Sequence, residues 1–216
     1  MFLKFFFIIY VLLYQTHVFS KSNDNIEFNH RYLSNYLSAL LSNDSQDYKK
    51  SLNFFNSSKS LINKHDNFLK EYVFSLVENY QTDKAIKLIK NYKDSKNSNF
   101  FEAKLFLILD LIKKEKFTLA DNILDDFKIS EQNDTYELII YETLKSYNNL
   151  FIDQKIKKTK QNFGKLSLIT SAFQNCYLNS DTTNSQFINI INSEDADYSR
   201  YLYFYLENAL RDKNFD

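Results

Sequence analysis

This chain contains no proline and no tryptophan, a single glycine (Gly164) and a single cysteine (Cys176) among 216 residues. All-β folds draw on glycine and proline at their turns, so their scarcity points to helices. One cysteine rules out an intrachain disulfide, leaving the fold to rest on its core alone. Cys176 reads as a small buried residue beside Phe173 and Tyr177. No glycine-rich loop exists to cradle a phosphate. Of the three histidines, His17 lies in an apolar leader, and His30 and His65 read as solvated. Without a spaced cysteine or carboxylate cluster they make no zinc site. Neither charge sign dominates, with 27 basic and 27 acidic residues. That balance offers no electrostatic case for nucleic acid or anionic lipid. The paired acids Asp125 with Asp126, and Glu194 with Asp195, fall where helix ends and turns are expected, the ordinary place for solvated or capping carboxylates. No catalytic set, metal or cofactor is therefore expected, and the chain reads as a non-enzyme. Asn43, Asn56 and Asn133 fit the N-glycosylation pattern, which an asparagine-rich chain produces by chance.

The first twenty residues, MFLKFFFIIYVLLYQTHVFS, carry one cation, Lys4, and then an apolar run over 5–13. That run is short for a membrane-spanning helix, which needs about 20 apolar residues. Residues 1–20 read as a secretory signal peptide, with Val18 and Ser20 before the cut, and 21–28 as a short polar lead. An uncleaved membrane anchor is the alternative, and the only route by which a membrane becomes a partner. The expected location is outside the cytoplasm, in a bacterial periplasm.

Over residues 31–127, apolar stretches of helical period alternate with polar breaks at SNDSQD, NKHDN, YQTD, DSKNSN and KKEK. They mark six helices, antiparallel to their neighbours because the connections are short. The even-numbered helices share a pattern. Ser51, Ala85 and Ala120 are small residues spaced 34 and 35 apart, each followed four positions later by a large one: Phe55, Ile89 and Leu124. Tyr48 and Phe117 stand three before the small residue, with Thr82 in the middle copy. Ala39, Val73 and Ile108 each precede it by twelve. A small residue lets the two helices of a hairpin approach closely, while the aromatic fills the corner of the turn. Beyond residue 130 the expectation is a fourth pair, TYELIIYETLKSY with NNLFIDQKIKKTKQ, then a fifth, NFGKLSLITSAFQNCYL with TTNSQFINIIN. An unpaired helix over 197–211 completes the chain.

This period and pattern resemble the tetratricopeptide repeat (TPR), a helix–turn–helix unit of 34 residues, in the divergent form of exported bacterial proteins. The resemblance covers residues 29–216 and is strongest over 32–128. The family's tryptophan, first-helix glycine and closing proline are absent. The resemblance implies an all-α fold in which antiparallel helix–turn–helix repeats stack into a right-handed solenoid. It also implies a concave groove lined by the first helix of each repeat. Carried over, the groove positions are Tyr36 and Leu40, then Lys70, Phe74 and Val77, then Leu105, Leu109 and Ile112, then Tyr136 and Ile139. A largely apolar groove rimmed with tyrosine suits an amphipathic helix or extended peptide. The family's clamp for acidic chaperone tails needs Lys, Arg and Asn at these positions, and only Lys70 fits. The function implied is a non-catalytic protein–protein interaction scaffold of the cell envelope.

The ending, YLYFYLENALRDKNFD, places Phe215 at the aromatic of a turn and Leu202, Tyr205, Leu206 and Ala209 on packing positions of a first helix. The chain stops half a repeat early. That reads as an interruption, either a truncated array or a last helix completed by a partner, with a natural cap as the alternative. Tyr201, Tyr203, Phe204 and Tyr205 form the expected association surface. A structural subunit that forms homo-oligomers through this helix, or completes a larger array, is the second functional reading.

Overall fold

The computed structural model describes residues 29–127, 135–157, 161–193 and 197–211. The expected leader, the polar lead, Asn133, Glu194 with Asp195, and Phe215 lie outside them. The described residues form ten α-helices and no strand: α1 (His30–Asp44), α2 (Tyr48–Ser57), α3 (Phe68–Glu78), α4 (Thr82–Asn91), α5 (Phe101–Lys113), α6 (Phe117–Asp125), α7 (Thr135–Asp153), α8 (Lys165–Tyr177), α9 (Thr183–Ile191) and α10 (Leu202–Arg211). The all-α expectation holds. Each helix packs on its neighbours in sequence, and α1 also touches α3.

Local chemistry sets the ends. Asn29 caps α1 by accepting from the Arg31 N–H at 3.0 Å, and Asp47 caps α2 by accepting from that of Lys50 at 3.2 Å. The turns inside the first three hairpins are built alike. Gln46, Tyr80 and Glu115 have φ of 61°, 58° and 56°, each five residues before the small residue of the next helix. Each donates its N–H three residues back, and the following residue donates five back: Gln46 to Asn43 and Asp47 to Ser42, Tyr80 to Val77 and Gln81 to Leu76, Glu115 to Ile112 and Lys116 to Leu111. This is the Schellman closure, ordinarily made with glycine in the left-handed position. Asn179 closes α8 the same way before α9. The repeat thus extends to backbone geometry, despite the missing glycines.

The spacing pattern predicts the core. Ser51, Ala85, Ala120, Ala39, Val73 and Leu124 are fully buried, and Phe55, Ile89 and Ile108 nearly so. Rings thicken the first core: Tyr36, Phe55, Phe68 and Tyr72 lie with centroids 5.3–6.1 Å apart. A smaller cluster gathers around Ile108, Ala120 and Leu124, and another around Ala172, Phe187 and Ile190.

The fourth pair does not form as expected. Residues 148–153, taken to open a second helix, instead end α7, which runs for 19 residues. Leu150 is buried on α7 and the Phe151 ring packs tilted against Phe117 at 5.1 Å, so apolar packing carries the helix past the point where the period would turn it. An αL closure follows at Gln154 (φ 51°), whose N–H donates to Leu150 at 2.9 Å. Residues 154–157 are exposed and non-helical, and 158–160 of the expected helix lie outside the described residues. The fifth pair is present as α8 and α9.

Candidate functional site: the face of the first helices

Helices α1, α3 and α5, with the first half of α7, carry the expected groove positions. Leu40, Phe74, Val77, Leu105, Ile112 and Ile139 are half-buried, Leu109 is 44 % exposed and Tyr136 75 % exposed. Tyr36 is the correction on α1: only 4 % of it is accessible. Its ring is enclosed by Phe55, Phe68 and, at 4.7 Å, His65, and burial pushes its phenol pKa up. It holds the core together and presents nothing to a partner. His65, expected to be solvated, is half-buried against that ring, and its Nδ1 has no hydrogen-bond partner among the described residues.

Lys70 links two first helices. Its Nζ lies 3.1 Å from Glu102 of α5 and over the rings of Phe74 and Phe100, at 5.4 and 5.9 Å. Lys70, the cation among the expected groove positions, is thus already held by a carboxylate and two rings. Phe74, Val77, Leu109 and Ile112 remain as an apolar surface beside it.

On α7 the face changes character. Thr143 follows Leu109 by 34 residues and Ser146 follows Ile112 by 34, so hydroxyls occupy the positions that Leu109 and Ile112 hold on α5. They line a cleft of about 390 Å³ between α7 and α8, together with Ser167, Thr170 and Gln174 and with the apolar Ile156, Phe163, Leu166 and Leu168. Gln174, 3 % exposed, donates to the Ser146 Oγ at 2.7 Å. The signal for this cleft, T-x-x-S in α7 and S-x-x-T-S in α8, stands in the sequence but was not read there.

Two asparagines tie successive hairpins. Asn79 donates to the Tyr48 carbonyl at 2.7 Å, and Asn148 to that of Phe117 at 3.1 Å. Each stands 31 residues beyond the turn aromatic whose carbonyl it holds. Among the described residues the most enclosed charge is Asp110, whose side chain is 6 % exposed. It accepts from Lys90 of α4 at 2.7 Å and Lys114 at 2.6 Å. Those two bonds hold its carboxyl below the usual range. Among the described residues no group of three His, Cys, Asp or Glu side chains could hold a metal, and no helix is long and apolar enough to cross a membrane.

At the C-terminal end, the expected association surface divides. Tyr201 and Tyr205 are half-buried and pack inward on the cluster of Phe187 and Ile190. Phe204, though 37 % exposed, sets its ring against Phe173 at 4.8 Å, leaving Tyr203, 66 % exposed, as the only one of the four facing fully out. Leu202 and Leu206, expected to pack, are 44 and 49 % exposed, and Asn208 is buried in their place. The helix is rotated from the expected setting because its tyrosines, the larger apolar groups, take the inner side. No family model, curated protein or solved structure matches this chain.

Proposed function

We propose that this chain is a divergent TPR protein whose hairpins stack as a right-handed solenoid. In this reading it is a non-catalytic scaffold of the cell envelope that holds a peptide or helix of a partner protein. The leader at 1–20 supplies the argument for export to the periplasm. The observation that carries the binding reading is the apolar row on the first helices. Leu40, Phe74 and Leu109 recur at 34 and 35 residues and keep part of their surface open, while the core positions of the same helices close completely. A partner helix with apolar residues on one face would cover this row, and a few large side chains would carry most of the affinity.

The test places a photo-crosslinking amino acid at position 109 in one sample and at position 87, on the exposed side of α4, in another, both in native envelopes. A discrete crosslinked partner at 109 and none at 87 is expected. Equal labelling at both positions would remove the groove reading. Once the partner is identified, Leu109→Asp should weaken its binding at least about tenfold, the loss of one central apolar contact, with the helical circular dichroism unchanged.

A further inference from the structure

The cleft between α7 and α8 holds a charge that nothing answers. Two of the side chains lining it are formally charged, Glu142 and Lys157. Lys157 is already engaged, with its Nζ 2.6 Å from Asp153 and donating to Asn149 at 3.5 Å. Lys145, three residues beyond Glu142 on α7, is held by Asp125 and Tyr141. Glu142 itself is half-buried and has no ion pair or hydrogen bond among the described residues. A carboxylate partly withdrawn from water without a counter-charge is unfavourable, and a bound cation would relieve it. Neutral acceptors gather around it. Gln174 lies 28 residues beyond Ser146, to whose Oγ it donates at 2.7 Å, and Tyr177 lies 26 beyond Phe151, whose ring it meets at 5.2 Å. Those two contacts run in the same direction and set α7 and α8 parallel. Thr170, 28 beyond Glu142, therefore stands level with it across the cleft. The hydroxyls of Thr143 and Thr170 make no hydrogen bond among the described residues. Neither does the Oε1 of Gln174, although that residue is only 3 % exposed.

We propose that this cleft holds the guanidinium of an arginine side chain carried by the partner segment. A guanidinium offers five N–H donors in a planar fork and is more weakly hydrated than an ammonium. A site with one carboxylate and several neutral acceptors therefore suits arginine better than lysine. Glu142 takes the charge, while Thr143, Thr170 and the Gln174 Oε1 accept the remaining N–H groups. The apolar wall of Phe163, Leu166 and Leu168 covers the aliphatic stem and favours an organic cation over a metal ion. A volume of about 390 Å³ is near the lower end of small-ligand clefts, about 300–1,000 Å³, and fits one side chain rather than a helix. That the arginine belongs to a peptide rests on the scaffold reading; the preference of the cleft for a guanidinium does not.

The probe is the capped tripeptide acetyl-Ala-Arg-Ala-amide, titrated into the isotope-labelled full chain while its amide NMR shifts are followed. Saturable shifts confined to residues 142–146 and 166–174 are expected. The citrulline tripeptide has the same shape without the charge and should bind at least about tenfold more weakly, as should Glu142→Gln toward the arginine tripeptide. Thr170→Val should weaken binding about threefold, the loss of one neutral acceptor. Glu207→Gln, which neutralises an exposed acid on α10, should change nothing. Glu142 has no partner to lose, and circular dichroism checks that each variant folds. An arginine tripeptide that gives no saturable shift overturns the proposal, as does equal binding of the citrulline tripeptide. Equal binding of the lysine tripeptide overturns the guanidinium assignment, and full affinity in Glu142→Gln overturns the placement at Glu142. Methylguanidinium held as tightly as the tripeptide would assign the cleft to a small guanidinium compound and overturn the peptide source. The two readings fail separately. A tripeptide bound here with no crosslink at position 109 leaves the groove reading without support, whereas a crosslink at 109 with no tripeptide bound overturns only the arginine site.

Discussion

Ser51 shows how one residue can satisfy a packing rule and still cost stability. It occupies the small position filled by alanine at 85 and 120, and it is fully buried. Its hydroxyl has no hydrogen-bond partner among the described residues. A desolvated, unpaired hydroxyl is unfavourable by about 1–3 kcal/mol, and serine is also the weaker helix former. Ser51→Ala should therefore raise unfolding stability by about 1 kcal/mol, read as a higher midpoint in urea with an unchanged slope. Asp110 behaves in the opposite sense, as a buried acid that is fully partnered. Its folded pKa is depressed, so its contribution is complete above the unfolded value of about 4 and is lost as pH falls through the folded value. Asp110→Asn should destabilise the chain by about 1–2 kcal/mol at pH 7, where two charge-assisted hydrogen bonds are weakened. Stability curves of the two proteins should converge as the pH drops below 4; parallel curves down to pH 2 would show that the carboxylate charge is not the source.

At the scale of the element, the hairpin turns are the least optimised parts. Tyr80 holds φ of 58° while 97 % exposed, so it bears left-handed strain without burying its ring. Tyr80→Gly removes the strain and keeps the Schellman hydrogen bonds. It should stabilise the chain by about 1 kcal/mol, offset in part by backbone entropy. Calorimetry should show a melting point a few degrees higher. Helix α7 carries the other element-level lesson. Six helices over 30–125 were legible from polar breaks and apolar period, because each break interrupts a helix whose buried face is complete. The end of α7 was not, since Phe151 finds its cover on Phe117 of α6 and on Tyr177 of α8, contacts between residues distant in the chain. No local pattern announces them.

For the whole molecule, the cores are unequal. The first unites α1 to α5 around interlocked rings, whereas the cluster at α8 to α10 has three fully enclosed apolar residues and leans on half-buried tyrosines. Local opening free energy follows enclosed apolar contact. Amide exchange should be slowest in α2 and α3, near Phe55 and Phe68, and faster by orders of magnitude in α10. A uniform protection pattern would mean that the chain opens as one unit. Phe55→Ala should cost about 3–5 kcal/mol, enough to abolish slow exchange over the first core.

The helical class, the six-helix alternation and the buried identities of Ser51, Ala85, Ala120 and their large partners were readable from spacing, because a helix writes its inner face at a fixed interval. The groove row was readable only in part. The same interval marks both a core position and its groove-side neighbour, and Tyr36 fell on the enclosed side through rings brought in from α2 and α3. The setting of α10, the run of α7 past its expected turn and the cleft against α8 were settled by packing. Each depends on which distant side chain fills the space, and that competition is resolved only when the helices meet.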